Sequence, residues 1–142
     1  MKLIRTALIL GLLSLSPAPL FAKSKASAPS VDPDYIAALG TADRFLHAWQ
    51  SQDEEAGVLL LSDRIRQRTP EDQVHSFFSS STDTRSSYEI GRGKKLAAGR
   101  YQFPVALLQH SARSGQKWMH PLISALIVAR SGKNDWVVDK LP

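Results

Sequence analysis

Residues 99–142, GRYQFPVALLQHSARSGQKWMHPLISALIVARSGKNDWVVDKLP, decide the fold. Three apolar segments are separated by two polar breaks, SARSGQ and RSGKND, whose glycine and small polar residues let a chain reverse. Tyr101 to Gln109 and Lys117 to Ala129 are long enough for two strands of a strongly curved, mostly antiparallel sheet. Asp135 to Pro142 ends the chain as either an edge strand or one tucked between longer partners. Alternation puts Tyr101, Phe103, Val105 and Leu107 on one face, with Gln102, Pro104, Ala106 and Leu108 on the other. In the second segment Trp118, His120, Leu122, Ser124, Leu126 and Val128 oppose Met119, Pro121, Ile123, Ala125, Ile127 and Ala129. Both faces are largely apolar, so cover is expected on both sides. Pro104 and Pro121 each remove a ladder donor and are expected at bulges or edges.

The cover lies upstream. Asp32-Pro33 is a capping aspartate with proline in the first turn, and Tyr35, Ala38, Leu39, Ala42, Phe45, Leu46 and Trp49 then recur at helical spacing as one broad stripe. A second helix is expected from Asp53 to about Gln67, with Gly57 permitting a close crossing. Thr69-Pro70-Glu71-Asp72 signals a third, with Thr69 as cap, Pro70 in the first turn, and Val74, Phe77 and Phe78 on the apolar side. Tyr88 to Leu96 reads as one irregular strand with a bulge or sharp twist near Gly91 to Gly93, and Leu96 to Gly99 as the turn after it. GRGKK has neither the spacing of a nucleotide loop nor a hydroxyl residue after the lysine.

Further toward the N-terminus, Lys2 and Arg5 precede a short apolar run from Ala7 to Leu15, and Pro17, Pro19 and Ala22 follow it. This order is that of a secretory signal, with a cut expected after Ala22 or as late as Ala28. The run is too short to span a bilayer comfortably, so no stable membrane anchor is expected after cleavage. Residues 23–31 read as a flexible linker and 32–142 as one domain. Removal of residues 1–22 takes the formal charge from +5 to +3. That mild balance, in a periplasmic or secreted protein, gives no reason to expect nucleic acid. The chain has no cysteine, which excludes disulfides, thiol nucleophiles and thiolate metal sites.

The stripe ending in Phe45-Leu46-x-Ala48-Trp49, the acidic start of the second helix with Ala56 and Leu59-Leu60, and the closing Asp135-Trp136-Val137-Val138 resemble the nuclear-transport-factor-2-like (SnoaL-like) superfamily of cone-shaped α+β domains. The resemblance covers about Asp32 to Pro142. It implies three N-terminal helices packed on a strongly curved sheet that closes into a cone-like barrel around a pocket. It does not name a reaction, since such folds include steroid isomerases, dehydratases, polyketide cyclases and ligand-binding modules.

Isomerases of this kind place a carboxylate base and a hydrogen-bonding acid on the sheet, but residues 90–134 contain no aspartate or glutamate. A dehydratase-like Asp-His pair would draw on Asp43 or Asp34 with His110 or His120. His120, Asp43 and Tyr101 are therefore the catalytic candidates, and Tyr35, Trp49, Tyr101, Trp118 and His120 the ligand-binding ones. His47 and His75 read as surface residues, and His110 as an exposed strand end. Four scattered histidines without a zinc spacing give no metal site, and no cofactor is expected. Arg85, Arg92, Lys94, Lys95 and Arg100 have only Glu89 as local counter-charge and read as a solvated strand and turn, or as a patch for an anionic surface. The reading favoured is an exported, non-catalytic domain that binds a small apolar or anionic ligand or a partner protein, with homodimerisation through the outer sheet face. The alternative is a small isomerase, dehydratase or hydrolase using the cone pocket.

Overall fold

A computed structural model describes residues 31–80, 84–111 and 121–142. Helix α1 (Pro33–Ser51) starts where the sequence places it: the Asp32 carboxylate accepts the Asp34 backbone N–H at 3.0 Å, with proline at the first helical position. It ends at Gln52, which adopts the left-handed conformation (φ 60°) and returns its N–H toward the last turn. The single helix expected from Asp53 to Gln67 is two, α2 (Glu54–Leu59) and α3 (Asp63–Arg68), capped by the side chains of Asp53 and Ser62. Residues 60–62 leave helical geometry because their backbone pairs with the sheet. Val138 N–H donates to the Leu60 carbonyl at 2.7 Å, and Ser62 N–H donates to the Val138 carbonyl at 2.8 Å. Helix α4 (Glu71–Ser79) begins after Pro70, while Thr69 closes α3 instead of capping α4.

The expected irregular strand is likewise two, β1 (Thr84–Ile90) and β2 (Lys94–Ala97), interrupted at the glycines where a bulge was expected. Strand β3 (Arg100–Ser111) holds β1 along one edge from Ile90↔Val105 to Thr84↔Ser111, and β2 further along that edge. Its other edge pairs with β4 (Leu122–Arg130), which pairs in turn with β5 (Trp136–Lys140). Every ladder is antiparallel, and the bridge Leu61↔Val138 adds one parallel contact.

This topology corrects the expectation of a cone-shaped, strongly curved, barrel-like sheet on three helices. There are four helices among the described residues, and the sheet is open, running β1-β3-β4-β5 without pairing between its outer strands. The physical reason lies at β5: five residues long, it has β4 on one side and residues 60–62 of the helical layer on the other, so no edge is left for closure.

The expected parity of β3 holds. Tyr101, Phe103, Val105 and Leu107 are buried, and opposite them so are Leu126 and Val128 on β4. Helix α1 lies on this face with Ala38, Ala42, Phe45, Leu46 and Trp49 against it. Its start sits over the beginning of β3, where Tyr101 bonds Asp32, and its end reaches Ser86 through Gln50. Ring contacts fill the core around this helix. Trp136, Tyr101, Phe103 and Tyr35 form one series between α1 and the sheet at 5.6–6.4 Å, and Trp49, Phe77, Phe45 and Phe78 a second between α1 and α4 at 5.2–6.1 Å. Among the described residues no helix is long and apolar enough to cross a membrane.

Candidate functional site

The sequence candidates fall in three places. Tyr35 and Tyr101 come together, ring edge to ring face at 5.8 Å, under the start of α1. Tyr35 Oη accepts the Gly93 N–H at 3.1 Å, and Tyr101 Oη donates to Asp32 Oδ2 at 2.6 Å. Lys95 Nζ approaches the same Asp32 oxygen at 3.5 Å and lies 5.6 Å from the centre of the Tyr101 ring. The Tyr101 hydrogen bond is the main cause holding Asp32 below the usual carboxylate range, and the same bond pushes Tyr101 up. The Tyr101 hydroxyl, then Asp32, raise Lys95. Beside them Arg130 pairs with Asp34 and lies 4.9 Å over the Trp136 ring. A cleft of about 400 Å³ opens there between Asp34, Lys95, Gly99 and Arg130, its cations already engaged with carboxylates.

Asp43 is elsewhere, on the exposed side of α1, where it accepts the Tyr88 hydroxyl at 2.9 Å. Partial burial and that carboxylate push Tyr88 up to about 12, so Tyr88 remains a neutral donor at ordinary pH. Trp49 is fully buried between α1 and α4, its indole N–H without a hydrogen-bond partner among the described residues. His120 and Trp118 lie outside the described residues, as does the side chain of His110. His47 is exposed, and His75 is exposed with Nδ1 at 2.7 Å from Glu54 Oε2. Among the described residues no group of histidines and carboxylates could hold a metal ion.

Two cations of the basic cluster find counter-charges far away in sequence. Lys95 reaches Asp32, and Arg100 reaches Asp139 at 2.6 Å. Asp139 is buried at the irregular end of the β4–β5 ladder, and it also takes Arg64 at 2.5 and 2.9 Å and Ser62 Oγ at 2.9 Å. Burial alone would raise its pKa, but the bonds from Arg64, Ser62 and Arg100 outweigh burial and lower it.

A further cavity uses none of the sequence candidates. It is a groove of about 650 Å³ between α2, α3 and α4, with Val58, Leu59, Leu61 and Val74 as an apolar floor and Glu54, Glu55, Glu71, Arg66 and Thr69 around it. Leu59 is 71% exposed, and it also borders two neighbouring grooves of about 610 and 480 Å³. The walls are fixed. Gly57 lies so close to α4 that a Cβ there would stand 2.1 Å from Phe78 Cζ, and residues 60–62 are tied to β5. The only trace in the sequence is VLLLS after EEAG, one leucine more than a stripe packed on a sheet requires.

No protein-family profile matches the chain, and no curated protein matches it. Among solved structures it is similar to a ketosteroid isomerase-like protein from Erwinia carotovora atroseptica SCRI1043, with a TM-score of 0.52 and 14% identity over 76% of this chain and 92% of that one. It is also similar to an uncharacterized cystatin fold protein from Novosphingobium aromaticivorans, with a TM-score of 0.50 and 16% identity over 74% of this chain and 97% of that one. At these identities the likeness establishes a shared α+β fold.

Proposed function

We propose that this chain is a distant member of the nuclear-transport-factor-2-like superfamily, exported and non-catalytic, which binds an apolar ligand or a partner protein in the groove of α2, α3 and α4. One contrast carries the reading. The core around α1 is packed with fully buried Phe45, Trp49 and Phe103, while the groove leaves Leu59 in solvent. The isomerase, dehydratase or hydrolase alternative has less support. Asp43 bonds Tyr88 on the outer side of α1, and Asp139, the one buried carboxylate among the described residues, is engaged by two arginines.

The test is a titration with a neutral apolar fluorophore, Nile red. Saturable binding to the folded protein, weakened about tenfold in Leu59→Ser, is expected. Linear, non-saturating fluorescence, or equal affinity in the variant, would refute the groove. Export is proposed on the charged start, apolar run and small-residue end of residues 1–22. The intact mass of protein recovered outside the cytoplasm should lack residues 1–22 to 1–28, and a full-length mass would count against it.

A further inference from the structure

We infer that the occupant of the α2–α4 groove is a cationic amphipathic helix of a partner protein. Its aliphatic stripe would seat on the exposed Leu59 and half-buried Val58, above the buried Leu61 and Val74, and its lysines or arginines would lie over Glu54, Glu55 and Glu71. This rests on the groove being the binding surface, as proposed above, and adds the chemistry of what it takes.

Charge is the first argument. The chain as a whole carries +5, yet three of the four charged residues around the groove are glutamates. Its one arginine, Arg66, is engaged by Asp63 at 2.5 Å, and Glu55 and Glu71 make no ion pair among the described residues. Glu54 shares its carboxylate with His75. Glutamates in first helical turns complement the helix dipole, which accounts for acid at each start separately. It does not account for the starts of both α2 and α4 opening on the same apolar floor. With a screening length of about 8 Å at physiological salt, the three rim glutamates, set against Arg66 and the neighbouring Arg68 of α3, act on a bound segment more strongly than charges elsewhere on the chain do.

The backbone supplies the second argument, which separates a helix from an extended peptide. Adding a strand needs a free sheet edge, and the edge of β5 nearest the groove is taken by residues 60–62. The remaining walls are helices, so recognition there runs through side chains, as when an amphipathic helix lies in a groove. Fixed walls favour this further, because the close crossing at Gly57 and the tie at Leu61 spare the groove an ordering cost on binding.

The experiment uses a fluorescein-labelled synthetic helix with leucines at i, i+3, i+4 and i+7 and lysines elsewhere, beside a twin carrying glutamates for lysines. Anisotropy should show saturable binding of the lysine peptide, at least tenfold tighter than the twin and weakening as salt rises. Leu59→Ser should weaken it about tenfold, and Glu55→Lys with Glu71→Lys should turn the preference toward the glutamate twin. Circular dichroism establishes that each variant is folded, which exposed positions favour. Equal binding of both peptides, no binding, or indifference to Leu59→Ser would overturn the inference. Nile red separates the two failures: saturable dye binding without peptide binding sinks the helix and leaves the groove standing, whereas absence of both removes the groove as well.

Discussion

The layer between α1 and the sheet and the groove between α2 and α4 are both apolar, but they treat their side chains oppositely. Around α1, one series of aromatic rings faces the sheet and a second faces α4, with rings edge to face, stacked or tilted, and Phe45, Leu46, Trp49 and Phe103 have no exposure left. In the groove, Leu59 has 71% of its surface exposed although α2 and α4 approach so closely that only glycine fits at position 57. The open side chain thus stands beside walls that are tightly fixed. The layer holds the fold, and the groove is free to hold something else.

Trp49→Ala should break the first half of this contrast most severely. Removing a fully buried indole from contact with Phe77 leaves a cavity in the layer, at an expected cost of about 3–5 kcal/mol. His47→Ala, two residues away on the exposed side of α1, should cost about 0.5 kcal/mol or less. Equal midpoints in urea for the two variants would mean that α1 presents a different side to the sheet.

Asp139 comes next, because its carboxylate ties α3, β3 and β5 together at one buried point. Asp139→Ala leaves Arg64, Arg100 and Ser62 without their acceptor and should cost about 1–3 kcal/mol, since both arginines are partly exposed and can turn to water. Its folded pKa is lowered, so this stabilisation is present above the unfolded value of about 3.9 and fades as pH falls through the folded one. Wild type and variant should therefore differ fully near neutral pH and converge below about pH 4. A difference that stays constant into acid would show that lost packing, not the charge, is responsible.

The pattern of what the sequence revealed follows the range of the interactions. Helix α1, its Asp32 cap and the alternation along β3 were legible because each depends on spacing within a few residues, and the crossing at Gly57 because glycine alone leaves room for a close neighbour. The break between α2 and α3 was not, because it is imposed by Val138, some 77 positions downstream, whose backbone captures residues 60–62. The same tie occupies the edge of β5 and keeps the sheet open, so the expected barrel failed for a reason no local pattern carries. The counter-charges of Lys95 and Arg100 were missed in the same way, since Asp32 and Asp139 lie far from them in sequence. The candidate site was the least legible part. Of the residues singled out, Tyr35 and Tyr101 meet in space, whereas the floor of the groove is built from aliphatic residues that read as ordinary helix interior.

Gly57→Ala tests whether the groove walls are as fixed as the geometry implies. Alanine gains up to about 1 kcal/mol in helix propensity, but the added methyl meets the Phe78 ring at 2.1 and 2.3 Å, and Phe78 is itself buried. Moving that ring out of packed surroundings should cost more than the helix gains, for a net loss of about 1–2 kcal/mol. A stabilised variant would mean that α4 can slide away from α2 freely, and the groove would then lose its claim to a fixed shape.

The smallest stability change, and the sharpest on the contrast itself, is expected for Leu59→Ser. A leucine that contributed to the fold would be enclosed, and serine there would cost about 2 kcal/mol or more in lost burial. Leu59 is 71% exposed at the last position of α2, so its replacement should shift the urea midpoint by the equivalent of about 0.5 kcal/mol or less. It should still be felt in binding, because the same side chain borders three grooves and is the most exposed part of the floor. The division of labour between layer and groove therefore predicts a separation of effects: Trp49→Ala strongly lowers stability, while Leu59→Ser leaves the protein folded and weakens Nile red and the lysine peptide together. Were Leu59→Ser to lower stability as much as Gly57→Ala does, Leu59 would belong to the packed interior, and the groove would be a seam in the fold with no role in recognition.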